Sequence, residues 1–331
     1  MFIIENYSTA VIFCIITMFC WGSWANTQKL AAADWRFELF YWDYVIGIVA
    51  LSLLFAFSMG SNGEDGRSFV ADWQQADASN IASAFTGGVI FNAANILLVA
   101  AISIAGMSVA FPIGIGLALV IGVIVNYLDT PLGNAPFLFS GVALVAVAIV
   151  LNANAYRKLI GKDSKASTKG IVLSVVSGCM MGLFYKYVAA SMFQDFMVPE
   201  SGKLSPYTAV VVFSFGILGS NFIFNTLLMK RPFVGQSVGY KNYFQGTLKN
   251  HLTGILGGAI WCLGMSFSIL ASGKASPAIS YGLGQGATVV AALWGIFIWK
   301  EFKGAPAGTN AILNIMLLCY IAGLILIIAA R

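Results

Sequence analysis

Long apolar runs separated by short polar breaks succeed one another along the whole chain. They fall at about 8–29, 39–59, 80–102, 105–127, 136–156, 168–192, 206–229, 250–272, 275–299 and 311–330. Each is close to the length, about 20 residues, that carries a helix across the hydrocarbon core of a bilayer. The pattern predicts an all-α integral membrane protein with ten transmembrane helices. Glycine-rich stretches such as Gly114-Ile115-Gly116 are compatible with this, because neighbouring helices satisfy the backbone.

Composition narrows the class further. Of 331 residues, 59% are hydrophobic and 9% charged, whereas a soluble domain carries about 25% charge. Mean hydropathy is +0.85, and a soluble fold of this length would leave much of that apolar surface in water. The net charge of +5 resides in loops, with no basic face interleaved with aromatics, so nucleic acid is not an expected partner. Five cysteines (Cys14, Cys20, Cys179, Cys262, Cys319) lie in apolar runs without CxxC or Cys/His spacing and read as small buried hydrophobes. His251, the single histidine, stands at a loop-to-span junction, which leaves no material for a His-based triad or a zinc site. No cofactor or metal is expected. The first apolar run is of full span length with no basic residues before it, so no cleavable signal peptide is expected.

An even number of spans places both termini on one side. That side holds four basic residues, Arg67, Lys203, Lys274 and Arg331. The other holds thirteen: Lys29, Arg36, Arg157, Lys158, Lys162, Lys165, Lys169, Lys230, Arg231, Lys241, Lys249, Lys300 and Lys303. The positive-inside rule makes the thirteen-charge side cytoplasmic and puts both termini outside, in a membrane of the bacterial inner type. The loop 60–79 on the terminal side is acidic (Glu64, Asp65, Asp72, Asp77), which is compatible with that orientation.

The chain also repeats itself. Residues 87–129 align without a gap on residues 257–299, pairing Gly87 with Gly257, Gly88 with Gly258, Gly114 with Gly284 and Gly116 with Gly286. Phe91 and Trp261 match in kind, and so do Phe111 and Tyr281. In the first and sixth spans Gly22 falls on Gly182 and Trp24 on Phe184. The division is a five-helix half at 1–156, a short cytoplasmic linker at 157–167 and a second half at 168–331. Five is odd, so the halves must run oppositely through the membrane. Such 5+5 inverted-topology repeats mark secondary transporters, with the solute bound near the midplane between the halves.

Four stretches carry a family resemblance: CWGSWANTQKL at 20–30, RFELFYWDY at 36–44, GGVIFN at 87–92 and AFPIGIG at 110–116. Together they resemble the plant ureide permeases and their bacterial relatives, within the drug/metabolite transporter (DMT) superfamily. The similarity is dense over 19–155 and thinner to the C-terminus. It implies the 5+5 DMT fold and proton-coupled symport of heterocycles such as allantoin, uracil and xanthine. The plant proteins carry a long central loop with a nucleotide-binding-like motif. Here the linker is short and lacks GxxxxGK[ST], so nucleotide regulation does not carry over.

Polar residues inside spans are costly and therefore candidates for function. Lys186 lies on a face otherwise built of Gly178 and Gly182, and two readings fit it: a contact to solute, or a side chain that snorkels to the outer interface. Trp21, Trp24 and Gln28 share a face of the first span, with Asn26 on a neighbouring one. Asn92 and Asn95 share a face with Gly88, their equivalents in the repeat are Cys262 and Met265 beside Trp261, and Gln285 sits one turn from Tyr281. Aromatic faces with amide donors and acceptors suit a planar heterocycle, or a sugar stacked on Trp. For each residue alone, interfacial anchoring or an interhelical hydrogen bond serves as well. Glu38 and Asp43 are the coupling candidates, against the alternative of structural pairs with Arg36 or Lys29. Pro112 removes a helix hydrogen bond beside two glycines and is a candidate hinge.

The expected function is secondary active transport of a small polar ureide or nucleobase, with lipid, solute and, where transport is coupled, a proton as partners. A monosaccharide permease (rhamnose, ribose or glucose type) shares every coarse feature. A membrane enzyme or channel would need clustered catalytic groups or a charged pore ring, and the sequence has neither.

Overall fold

The computed structural model describes residues 1–63, 65–105, 107–160 and 167–331. Glu64, and Lys162 and Lys165 of the linker, lie outside the described residues. Among those described, ten helices are long and apolar enough to cross a membrane. They are span 1 (Tyr7–Leu30), span 2 (Phe37–Phe57), span 3 (Ala78–Ala105), span 4 (Val109–Asp129), span 5 (Ala135–Leu159), span 6 (Thr168–Ser191), span 7 (Pro206–Lys230), span 8 (Leu248–Ala275), span 9 (Pro277–Ile298) and span 10 (Thr309–Ala329). The chain is an integral membrane protein, and its outer faces carry the exposed large apolar side chains that lipid requires, among them Leu54, Phe57, Phe222, Ile223 and Leu318.

Local chemistry sets several helix starts. Asn6 accepts from Thr9 N at span 1. Ser205 accepts from Thr208 N at span 7, where Pro206 occupies the first turn. Two spans depart from a plain helix. Span 1 is α-helical through Ser23 and then tightens to a 3₁₀ helix over Trp24–Leu30. Span 9 breaks: an α-helix over Pro277–Gly284 and another over Ala287–Leu293 are joined at Gln285-Gly286 and followed by a π-turn, Trp294–Ile298. Apolar periodicity reads span 9 as one uninterrupted run at 275–299, because hydropathy registers apolar length and not the path of the backbone. The inter-span loops also hold two short helices that hydropathy does not show, Phe69–Gln75 and Tyr240–Phe244.

Packing is patterned. Span 3 lies against spans 6 and 7, and span 8 lies against spans 1 and 2. Span 4 packs on span 6 and span 9 on span 1, while spans 5 and 10 pair at the periphery. Glycines permit the closest approaches. A Cβ added at Gly88 would strike Phe213 O of span 7, and one added at Gly258 would strike Tyr44 O of span 2. A Cβ at Gly182 would meet Ile121 of span 4 at 2.9 Å, and one at Gly22 would meet Val290 of span 9. Span 3 thus meets span 7, span 8 meets span 2, span 6 meets span 4 and span 1 meets span 9 at a glycine.

Candidate functional site

The 3₁₀ turn that ends span 1, the middle of span 3, Pro112 on span 4, the end of span 5 and the broken span 9 enclose a cavity of about 280 Å³. Its aromatic wall includes Trp21, Trp24, Phe91, Phe184 and Trp261. Trp21 and Trp261 stack with ring centroids 5.9 Å apart and planes at 13°, and the Trp21 indole N–H donates to Trp261 O at 3.2 Å. The Phe91 and Trp261 ring centroids lie 4.4 Å apart.

Polar groups enter this apolar chamber at few points. Asn95 donates from Nδ2 to Tyr41 Oη at 3.1 Å, and Tyr41 donates on to Asn92 Oδ1 at 2.9 Å. Asn92 then donates to Ser220 Oγ at 2.9 Å. Asn92 is thus spent on packing, while Asn95 is fixed at the wall of the cavity by its amide nitrogen. Gln285, at the break in span 9, lines the cavity and makes no side-chain hydrogen bond among the described residues. Asn152 of span 5 lines it too, and its Oδ1 is buried with no hydrogen-bond partner among the described residues. A buried carbonyl left without a donor is costly, and Asn152 Oδ1 is such a group at the cavity wall.

The mouth is polar. Tyr156 Oη donates to Glu301 Oε2 at 2.5 Å, and Lys29 Nζ lies 3.5 Å from Glu301 Oε1. Trp299 donates to Asn26 Oδ1 at 2.7 Å and Trp294 to Ser23 Oγ at 2.8 Å.

The architecture is matched outside this chain. A crystal structure of a protein 15% identical, covering 98% of this chain and 99% of its own, superposes with a TM-score of 0.63 and shows the same fold. The family model described as Ureide permease matches residues 40–169 and 155–330. The chain belongs to the ureide permease family. The permease is similar to Ureide permease 4 of Arabidopsis thaliana, 22% identical across 100% of this chain and 99% of that protein. It is also similar to Ureide permease 1 of the same plant, at 21% across 100% and 99%. Probable ureide permease A3 of Vigna unguiculata is 28% identical across 50% of this chain and 45% of that protein. Membership makes the molecule a membrane transporter.

The permease gathers some of the residues singled out by sequence and leaves others apart. Trp21, Trp24, Asn26, Asn95, Pro112, Trp261 and Gln285 line the cavity; Gln28, Asn92, Lys186 and Tyr281 do not. The α-helical phase that groups Gln28 with Trp21 and Trp24 ends at Ser23, and the tighter winding brings Asn26 and Lys29 to the cavity instead. Lys186 pairs with Asp129 at 2.8 Å, both side chains being 39% exposed, toward the face that carries the chain termini. Tyr281 is fully buried and donates to Ala118 O and Met181 O, each at 3.1 Å.

The two coupling candidates differ in their surroundings. Glu38 is gripped by Arg36, whose guanidinium also holds Gln236 O and Val234 O. Asp43 is buried, accepts from Tyr243 Oη at 2.6 Å and has both oxygens 3.0 Å from His251 Nδ1. Burial, then the Asp43 carboxylate, pushes the Tyr243 hydroxyl above its usual range, so it remains a donor. Neither carboxylate lines the cavity.

Sequence reasoning passes over Asn152, Tyr156, Trp294, Trp299 and Glu301. The rule that selects Asn92 also selects Asn152, since it falls in the run 136–156. No such signal marks Glu301, which lies beyond the end of span 9.

Proposed function

We propose that the permease carries a small planar solute with N–H and C=O edges, of the ureide or nucleobase class, by alternating access. The observation that carries this reading is that the stacked Trp21–Trp261 pair and the carboxamides of Gln285 and Asn152, neither with a side-chain hydrogen bond among the described residues, line one cavity. Flat aromatic faces take the plane of such a solute, and carboxamides offer a donor beside an acceptor. The names of the relatives support the same class. Uptake into cells expressing the permease, with allantoin, uracil, xanthine, ribose, rhamnose and glucose as a panel, tests it. Uptake of one or more of the first three is expected. Uptake of sugars alone sinks the ureide reading and establishes the monosaccharide alternative, which the Trp wall also suits.

Alternating access rests on two halves of five spans related by inversion, the arrangement of the DMT superfamily. The reciprocal packing supports this: span 3 on 6 and 7 mirrors span 8 on 1 and 2, and Gly88 and Gly258 serve the same crossing. A second cavity of about 680 Å³ lies toward the terminal face, lined in part by Tyr7, Asn126, Asp129 and Arg331. On span 9 that cavity reaches Ile279 and the first begins at Gln285, so Tyr281 stands in the barrier between them. Pro112 is the hinge of the reading, on the wall of the first cavity. Both termini face outward, and the basic face carrying Lys29 and Arg36 is cytoplasmic. An epitope tag at either terminus should be accessible in intact cells, and a cytoplasmic tag overturns this orientation.

If uptake is driven by protons, the reading gives the proton to Asp43, the buried carboxylate paired with the only histidine of the chain. Asp43→Asn is then expected to flatten the pH dependence of uptake while solute exchange persists. An unchanged pH profile removes Asp43 from the coupling role.

A further inference from the structure

Glu301 lies just beyond span 9, yet three features turn it back onto the cavity. The π-turn Trp294–Ile298 ends with Trp299 N donating to Trp294 O at 2.9 Å, and Glu301 N donates to Gly295 O at 2.9 Å. Between them Lys300 adopts φ 51°, a left-handed conformation that a side-chain-bearing residue seldom takes. At Gly295 a Cβ would lie 2.8 Å from both Glu301 Oε2 and Tyr156 Oη, so a side chain there would push against the two atoms of their contact. Backbone strain and a glycine gap thus serve one result, a carboxylate at the wall of the chamber.

Each oxygen of that carboxylate already faces one donor. Tyr156 Oη binds Oε2 at 2.5 Å and Lys29 Nζ stands 3.5 Å from Oε1. The Lys29 and Glu301 side chains are 48% and 32% exposed, so the ion pair is screened and contributes little to holding the mouth shut. An ionised carboxylate only accepts, and its two oxygens form a fork for two parallel N–H donors. The nearby ammonium offsets its charge, so the matching solute need not be a cation.

We propose that Glu301 is a specificity-determining residue of the cavity: it accepts a pair of N–H groups from the solute, displacing the Tyr156 hydroxyl while the Lys29 ammonium stays nearby, so that recognition releases the contact joining spans 5 and 9 at the mouth. The N–H pair of a urea or cyclic imide fits this fork, and an anionic edge is repelled. The proposal rests on the ureide reading above and adds the residue that selects within it.

Binding of allantoin, uracil and glucose to purified full-length protein, wild type and the variants Glu301→Gln and Tyr156→Phe, tests it. Thermal unfolding is followed in parallel to confirm folding. Glu301→Gln puts a donor where an oxygen stood and is expected to weaken allantoin or uracil binding at least tenfold. Tyr156→Phe removes the internal competitor and is expected to tighten binding several-fold. Opposite signs are the signature of direct contact. If both variants weaken binding, Glu301 only holds the mouth together and the proposal fails. It fails equally if Glu301→Gln binds like wild type. Wild-type protein that binds glucose alone, or nothing in the panel, overturns the ureide reading and this inference with it.

Discussion

Single polar side chains in this permease include some whose hydrogen bonds are satisfied within the protein and some left open to the cavity. Tyr281 and Gln285 lie on one span and represent the two kinds. Tyr281 gives its hydroxyl to two backbone carbonyls, whereas Gln285 makes no side-chain hydrogen bond among the described residues and lines the chamber. Tyr281→Phe should therefore cost stability, about 1 kcal/mol from a buried hydrogen bond, seen as a lower Tm with solute affinity little changed. Gln285→Ala should leave Tm in place and weaken solute binding roughly tenfold, the worth of about one hydrogen bond to solute. A reversed pattern would move the site away from the break in span 9. Lys186 shows how one residue type supports two readings: its Gly-lined face suggests a buried role, and its ion pair with Asp129 places it at the terminal end.

Among elements, the separation between helices is set by glycine, because lipid provides no hydrophobic drive between spans and close van der Waals packing must hold them. Gly258 lies under Tyr44 O with no room for a methyl group, while nothing stands within 4 Å of a Cβ at Gly116. Gly258→Ala should lower stability by about 1–3 kcal/mol as spans 8 and 2 are forced apart. Gly116→Ala should be neutral or slightly stabilising. Thermal unfolding of the detergent-solubilised variants checks both, and equal Tm values would show that the crossing tolerates the shift. The break in span 9 has a different effect: a helix interrupted at Gln285-Gly286 brings a carboxamide into the cavity that an unbroken apolar helix need not present.

At the scale of the whole molecule, the proposed mechanism takes the two cavities as opening to opposite faces with Tyr281 between them. Alternating access predicts that solute changes their accessibility in opposite senses. Single cysteines at Ala153 in the first cavity and Ala190 in the second report this, in a background with Cys179 and Cys319 replaced, since these two are the native thiols not fully buried. Labelling by a water-soluble maleimide should rise at one position and fall at the other when solute is added. Parallel changes at both would argue for a channel-like opening.

Membrane class, span number and the pairing of Gly88 with Gly258 are legible in the chain, because they rest on apolar length and on a repeated local pattern, and ten such helices are found in the structure. Candidate chemistry is partly legible: intramembrane amides mark Asn95 and Gln285, but the same rule marks Asn92, which the Tyr41 hydroxyl and Ser220 absorb. Only tertiary structure decides which polar group is left without a partner, since satisfaction depends on neighbours far away in sequence. Glu301 is the clearest instance. By hydropathy it is a charged residue in a loop; a π-turn, a left-handed Lys300 and the missing side chain of Gly295 carry it to the cavity, and none of these leaves a trace in apolar periodicity.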